Sequence, residues 1–196
     1  MCFVPPFPLP EALGDGLVRL RPFDPEDARA VYEACLDPLI MRFTTFPPAQ
    51  DEDDARGWIL SQAGRRERAE GLDMAISAVA DGAFLGAVGI AQLDAEHRRA
   101  EAGYWVAPEA RGHGVAARAL ELLTEWAFGP PLELVRVGLS IDVDNVASQR
   151  TAERAGFARE GVLRSFIEAK ARRWDVAIYS RLAPTHRSPR EDLAIR

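Results

Sequence analysis

Two glycines one residue apart, Gly112 and Gly114, lie between an apolar strand pattern over 103–106 and a helix pattern from Val115 to Phe128. Glycine has no Cβ, so a ligand can approach its backbone closely. The first N–H groups of a helix point outward and have no partner within the helix. N–H groups in this arrangement bind phosphate. The segment therefore predicts a site for a ligand that carries phosphate.

The glycine spacing alone is compatible with several other kinds of loop. Residues 112–117 also match the G-x-G-x-x-A dinucleotide fingerprint, which requires a βαβ unit and a parallel sheet. Three strand patterns precede the loop without intervening helices, and Pro108 separates strand from loop, so this alternative is disfavoured. A Walker loop is excluded because no Gly-Lys-Ser/Thr follows. A purely structural strand-to-helix turn remains an alternative, although Arg111 and two glycines exceed what a turn requires.

The composition narrows the class of protein. The 196 residues suffice for one domain with a core, and a formal net charge of −6 argues against a nucleic-acid-binding surface. Two cysteines, Cys2 and Cys35, and three scattered histidines build neither a disulfide framework nor a metal site, which fits a reducing cytoplasm. No segment reaches the length of about 18 apolar residues that a membrane span needs. The proline-rich start has no basic region typical of a signal peptide.

The order of predicted elements indicates a single mixed domain over 17–183, after an extended lead-in over 1–16 and before a flexible tail over 184–196. The fold class is α/β in the broad sense (α+β), because three strands follow one another without a helix. Residues 38–50 are predicted as an apolar loop, since Pro38 ends the first helix. We predict strands over 17–21, 74–79, 84–93, 100–106, 134–141, 159–168 and 173–182, and helices over 25–35, 51–68, 115–128 and 148–154.

The run Arg111-Gly112-His113-Gly114-Val115-Ala116 resembles the coenzyme A pyrophosphate loop of the GNAT (Gcn5-related N-acetyltransferase) superfamily. Residues 101–106, which precede this loop, resemble the fourth strand of that superfamily. The segments 18–22, 155–157, 160–164 and 174–180 resemble its RimJ/RimL-type branch, which acetylates protein N-termini. The resemblance extends over roughly residues 17–182. Single motifs of this kind are weak, but their order and spacing are specific.

The resemblance implies a single GNAT-like domain with a mostly antiparallel sheet of about seven strands and about four flanking helices. The fourth and fifth strands would splay apart and admit the pantetheine arm of acetyl-CoA, the expected co-substrate, with no metal. The backbone of 104–106 would bind the pantetheine, and Val106 would offer an N–H to the developing oxyanion. The expected cofactor contacts are Tyr104, Trp105, Val106, Arg111, Gly112, His113, Gly114, Val115, Ala116, Asn145 and Ser148.

Acetyl transfer needs a proton for the departing thiolate and a neutral amine. Other GNAT members use a tyrosine seven residues after the asparagine, where this chain has Ala152. Ser148 therefore becomes the candidate acid, and Asn145 contacts pantetheine or caps the next helix. Glu101 is the candidate base through water, or alternatively a structural acid, with Glu168 and Asp175 as weaker choices on the last two strands.

The acceptor is expected to be a protein or peptide N-terminal amine, attacked directly in a ternary complex. An α-amino group has a pKa of about 7.7–8.0, so roughly one in ten is neutral at pH 7. A small amine, such as an antibiotic or a polyamine, and a non-catalytic acyl-CoA-binding module are the alternatives. An exposed final strand favours a homodimer. The candidate walls of the acceptor pocket are Phe43, Phe46, Phe166, Glu168 and Trp174.

Overall fold

Each predicted strand and helix has a counterpart in the computed structural model, which describes residues 6–10 and 13–184. Within those residues the chain forms one eight-stranded sheet and five α-helices. The strands are β1 Leu13–Gly14, β2 Val18–Arg21, β3 Gly71–Ala78, β4 Phe84–Asp94, β5 Arg99–Val106, β6 Arg136–Asp142, β7 Ala158–Ala169 and β8 Arg172–Leu182. The helices are α1 Ala28–Leu36, α2 Pro38–Phe43, α3 Glu52–Glu67, α4 Val115–Phe128 and α5 Val146–Arg154.

The sheet has the order β1-β2-β3-β4-β5-β6-β8-β7, and its neighbours are antiparallel except for β5 and β6. The parallel pairing joins 99–101 to 136–138 and then stops. Because β5 continues to Val106 and β6 to Asp142, the two strands leave a gap between their carboxyl-terminal halves. The predicted splay of these two strands is confirmed.

The core on one face of the sheet is formed by α4 and α5. Leu120 and Leu123 of α4 are fully buried against alternate residues of the central strands, among them Val137 and Tyr179. The apolar positions of α4 recur with the helical period, so one face of the helix covers the sheet. The hydroxyl of Tyr179 donates to Gln149 Oε1 of α5 at 3.3 Å. These contacts hold α5 beside the gap.

The opposite face of the sheet is covered by α1, α2 and α3. Val31 of α1 packs against Ile59 of α3, and Ile40 of α2 packs with Trp105 and Ala87 of the sheet. Side chains alternate along a strand, so Trp105 and Tyr104 point to opposite faces. The two sides of the gap are therefore chemically different.

The predicted loop over 38–50 is wrong in its first part, because Pro38–Phe43 is a helix. Proline is well suited to the first position of a helix, where its missing N–H has no partner to lose. Asp37 caps this helix, since its carboxylate accepts from the N–H groups of Leu39 (3.0 Å) and Ile40 (2.8 Å). The proline ends α1 and begins α2.

The prediction of a dimer assumes that the last strand is exposed, but this strand does not lie at an edge of the sheet. β8 lies between β6 and β7, and the edge strands of the sheet are β1 and β7. The homodimer stays a prediction, without the exposed final strand on which it was based.

The ends of the chain are described in part. Phe7 is buried in the core, and its N–H donates to Arg66 O at 3.1 Å. The rest of the predicted lead-in includes 1–5 and 11–12, which lie outside the described residues, as does the predicted tail from 185 onward. No helix within 6–10 and 13–184 combines the length and apolar character needed to cross a membrane.

Candidate active site

The loop before α4 presents a row of open backbone donors. Gly112 and Gly114 have φ values of +81° and +77°, and a Cβ added at either would meet nothing within 4 Å. Among the described residues, none accepts a hydrogen bond from the N–H groups of residues 112–116. Unpartnered N–H groups at the N-terminus of a 14-residue helix form an anion site. The loop therefore has the geometry of a phosphate cradle.

Arg111 supports this loop with its side chain. Its guanidinium bonds both carboxylate oxygens of Asp37 at 2.9 and 3.2 Å, and its Nε donates to Val106 O at 3.2 Å. The hydrogen bond from Arg111 lowers the pKa of Asp37. Because Asp37 also caps α2, Arg111 joins the phosphate loop to that helix. The Arg111 side chain is held by Asp37 and Val106, and the His113 side chain is exposed to solvent. The backbone is therefore the part of the loop that faces a ligand.

The gap between β5 and β6 exposes backbone polar groups of β5. The N–H of Ala107 donates to Leu85 O of β4 at 2.9 Å. Antiparallel pairing alternates, so the N–H and C=O groups of Tyr104 and Val106 point away from β4 and toward the gap. The Trp105 side chain is 7% exposed and packs beneath α2. Trp105 therefore contributes to the core, while its neighbours supply the edge of the gap.

Two hydroxyl groups meet at one side of the gap. The hydroxyl of Tyr104 on β5 lies 2.7 Å from Ser148 Oγ on α5 and also reaches the carbonyl oxygen of Ser148 at 3.2 Å. Burial raises the pKa of Tyr104, so the phenol is neutral at physiological pH. The pair is a chain of two proton-carrying groups at the place where the sequence predicted a single acid.

Asn145 is the N-cap of α5. Its Oδ1 accepts from the N–H of Ser148 at 3.1 Å, and the helix begins at Val146. The predicted start at Ser148 was therefore two residues late, because Ser148 lies in the first turn and Asn145 caps the helix. The cap fixes the position of the Ser148 backbone, while the amide nitrogen of Asn145 retains its donors.

Glu101 lies on the other face of the sheet, at the last paired position before the gap. It faces Gly138 of β6, where an added Cβ would come within 2.2 Å of its Oε1. Ser140 Oγ donates to Glu101 Oε2 at 3.3 Å. Burial raises the pKa of Glu101. The carboxylate thus sits between two strands, at the base of the gap, with a strengthened affinity for protons.

The predicted acceptor walls are only partly brought together. Trp174 lines a cavity of about 370 Å³ between α2 and the end of the β7–β8 hairpin. Phe46 lines a separate cavity of about 250 Å³ between α1 and α3. Phe43 lines neither; its ring lies 4.8 Å below the guanidinium carbon of Arg42. Phe166 is 56% exposed on the edge strand, and Glu168 pairs there with Arg173.

Two features of the site were not predicted from the sequence: the role of the Tyr104 side chain and the space that Gly138 leaves for Glu101. Strand alternation places Tyr104 on the α5 face, which is a readable signal. The pairing of Glu101 with a glycine depends on register across a parallel pair, and that register has no local signature.

Comparison with known proteins shows the family of this chain. The model of the acetyltransferase (GNAT) domain matches residues 18–158. A putative ribosomal N-acetyltransferase, YdaF of Bacillus subtilis, is 29% identical over 167 residues, which cover 84% of this chain and 91% of that protein. Spermidine N(1)-acetyltransferase of Escherichia coli is 30% identical over 152 residues, covering 74% and 75%.

The fold is also shared with solved structures. RimL, a ribosomal L7/L12 α-N-protein acetyltransferase solved with coenzyme A, superposes with a TM-score of 0.79 at 19% identity, covering 90% of this chain and all of that one. The resemblance to the RimJ/RimL-type branch is confirmed by these matches. With the domain model spanning most of the residues that form the sheet, the phosphate loop and α5, the chain belongs to the GNAT acetyltransferase family.

Proposed function

We propose that this N-acetyltransferase transfers an acetyl group from acetyl-CoA to the α-amine of a peptide or protein N-terminus, by direct attack while both substrates are bound. The proposal rests chiefly on one arrangement, in which the gap between β5 and β6 has the Tyr104–Ser148 hydroxyls on one face and Glu101 on the other. A proton donor and a proton acceptor on opposite sides suit a reaction in which the amine loses a proton and the thiolate gains one.

The residues present fit acetyl-CoA. The open N–H groups of 112–116 suit a pyrophosphate, and the two left-handed glycines leave room for it. The backbone groups of Tyr104 and the N–H of Val106, which face the gap without a strand partner, suit the amides of a pantetheine arm, as a further strand would. When bound, acetyl-CoA supplies an activated thioester.

On the α5 face, Ser148 donates a proton to the departing sulfur. In the structure the Tyr104 hydroxyl donates to Ser148 O at 3.2 Å and lies 2.7 Å from Ser148 Oγ. As Ser148 gives up its proton, the Tyr104 proton passes from this contact to Ser148 Oγ, and water then reprotonates Tyr104. The raised pKa of Tyr104 keeps that proton available at neutral pH.

On the opposite face, Glu101 accepts the proton of the attacking amine through water. A carboxylate with a raised pKa is a stronger base than an ordinary glutamate. Glu101 has to deprotonate only part of the substrate, since about one α-amine in ten is already neutral at pH 7. A lysine side chain, with a pKa of about 10.4, would demand far more.

Thiol release from acetyl-CoA tests the activity. The wild-type protein is mixed with acetyl-CoA and a short peptide with a free N-terminus, and with the same peptide blocked by acetylation. Release only with the free amine supports the proposal. If acetyl-CoA binds but no thiol is released with any amine, the protein is instead a non-catalytic acyl-CoA-binding module.

A small amine is the second candidate acceptor. It is favoured by the 30% identity to the spermidine acetyltransferase over 152 residues. Replacing the peptide by spermidine in the same assay separates the two candidates.

A further inference from the structure

The cavity of about 370 Å³ between α2 and the β7–β8 hairpin lies on the same face of the sheet as Glu101. Gly138, which faces Glu101, pairs with Ser180 of β8, and Asp142 pairs with Val176. Alternate residues continue this face along β8 to Trp174, which lines the cavity. Gly138 and Asp142 are four positions apart on β6, or about 13 Å. The guanidinium of Arg172, which lines the cavity, contacts Asp142 and so places the near end of the cavity at that distance from Glu101.

Three cations line this cavity, and two are already paired. Arg42 donates to Asp144 Oδ2 at 3.1 Å. Arg172 Nη2 lies 2.9 Å from Oδ2 of the buried Asp142 and 3.4 Å from Asp144. Lys170 Nζ donates to the neutral carbonyl oxygen of Met41 at 2.8 Å and pairs with no carboxylate among the described residues. These three cations and their two aspartate partners together carry one excess positive charge.

Two of the residues that line the cavity have a buried donor without an acceptor. Trp174 is 4% exposed, and its Nε1–H has no hydrogen-bond partner among the described residues. Arg172 Nη1 is likewise buried and without a partner there. The guanidinium carbon of Arg172 lies 5.7 Å from the centre of the Trp174 ring, so the two donor-bearing groups are neighbours. Both atoms are closed to a ligand by their burial, so the exposed Lys170 is the cation that remains to bind one.

We propose that this cavity binds a carboxylate of the acceptor, and that the enzyme therefore selects peptides with acidic residues close to the reacting amine. This inference rests on the proposed transfer to N-terminal amines. An extended peptide advances up to about 3.3–3.6 Å per residue, so a carboxylate about 13 Å from Glu101 belongs to the third or fourth residue. A polyamine would instead bring an ammonium group to Lys170 and Arg172.

The experiment compares kcat/KM for four acceptors: peptides beginning Ser-Ala-Asp-Asp, Ser-Ala-Asn-Asn and Ser-Ala-Lys-Lys, and spermidine. We expect the acidic peptide to exceed the neutral one by roughly tenfold or more, through KM, with the basic peptide and spermidine last. In Lys170→Gln, this ratio of acidic to neutral falls toward one.

Arg173→Gln is the matched control. Arg173 is the next arginine of the same hairpin, but it pairs with Glu168 and does not line the cavity. It should leave the ratio of acidic to neutral peptide as in wild type.

Equal kcat/KM for acidic and neutral peptides in wild type, or a preference for spermidine, would overturn the inference but not the acetyltransferase activity. Equal loss of the ratio in Lys170→Gln and Arg173→Gln would also overturn it, because general charge would then explain the selectivity. Acetylation of no amine at all would instead be a failure of the proposed function.

Discussion

Gly114→Asp isolates the phosphate loop from the rest of the fold. Gly114 has a φ of +77° and open space beside its Cα, so a side chain there causes backbone strain but no clash. The left-handed conformation costs a residue with a Cβ about 1–2 kcal/mol, which corresponds to roughly 2–8 °C in melting temperature for a domain of this size. The variant should therefore fold with moderately reduced stability.

Gly82→Asp is the matched control. Gly82 has a φ of +76° in the turn between β3 and β4, and an added Cβ there also meets nothing within 4 Å. The backbone strain is thus the same in both variants. Only the aspartate at 114 stands among the open N–H groups before α4.

The difference should appear in binding. Charged hydrogen bonds contribute about 1.5–3 kcal/mol each, so losing two costs about 3–6 kcal/mol, or roughly 10²- to 10⁴-fold in affinity. At a concentration 100 times its Kd, acetyl-CoA stabilises wild type by about 2.7 kcal/mol, a shift of roughly 5–11 °C. A 100-fold weaker Kd reduces this to about 0.4 kcal/mol, or roughly 1–2 °C.

The assay is thermal unfolding with and without acetyl-CoA for wild type, Gly114→Asp and Gly82→Asp. Gly82→Asp should keep the full ligand-induced shift and Gly114→Asp should lose nearly all of it. An undiminished shift in folded Gly114→Asp would refute the assignment of this loop as the anion cradle.

Four other predictions concern the two faces of the gap. Ser148→Ala should lower kcat by roughly 10²-fold or more at unchanged KM for acetyl-CoA, since a positioned general acid contributes that much; an unchanged kcat removes it from the mechanism. Tyr104→Phe should lower kcat as well, because Ser148 loses its 2.7 Å partner; wild-type turnover would make this contact structural only. Gly138→Ala should lower kcat by displacing Glu101, whose Oε1 would lie 2.2 Å from the new Cβ, whereas Gly161→Ala meets open space and serves as control; equal effects would contradict the role of Glu101. Burial raises the pKa of Glu101 above 4.5, so the folded state holds its proton more tightly than the unfolded chain; stability falls as pH rises from 4.5 through the folded pKa. Glu101→Gln removes that cost, so urea unfolding should show its gain over wild type at pH 7 and little at pH 4, and the reverse trend would contradict the burial argument.

Local signals predicted the elements that carry the phosphate loop. The helix over 115–128 was placed correctly at both ends, because Gly114 precedes it and Gly129 followed by two prolines ends it. The splay of β5 and β6 followed from family resemblance, since nothing in 100–106 or 134–141 shows which strands pair.

The errors arose where one residue type serves two roles. Pro38 was interpreted as a stop, although Asp37 before it is a helix cap and proline is favoured at the first helical position. Asn145 and Ser148 are both good caps, and the structure uses the asparagine. In both places the residue that caps the helix, Asp37 or Asn145, was present in the sequence, but the prediction relied on a residue that follows it.

Contacts between segments that are far apart in the sequence could not be predicted from local sequence patterns. Arg111 and Asp37 are 74 positions apart, and the pairing depends on how α2 packs beside the phosphate loop. Tyr104 meets Ser148 only because α5 docks against β5 and β8. Charge and hydrogen-bonding potential are visible in the sequence, but the partner is set by the tertiary fold.

The most direct measurement is mass spectrometry of a free peptide after incubation with the wild-type protein and acetyl-CoA. The proposed function requires the gain of one acetyl group at the α-amine, in equal amount to the thiol released, and loss of both products in Gly114→Asp but not in Gly82→Asp. Thiol release without an acetylated α-amine, or acetylation of lysine side chains in place of the N-terminus, would contradict it.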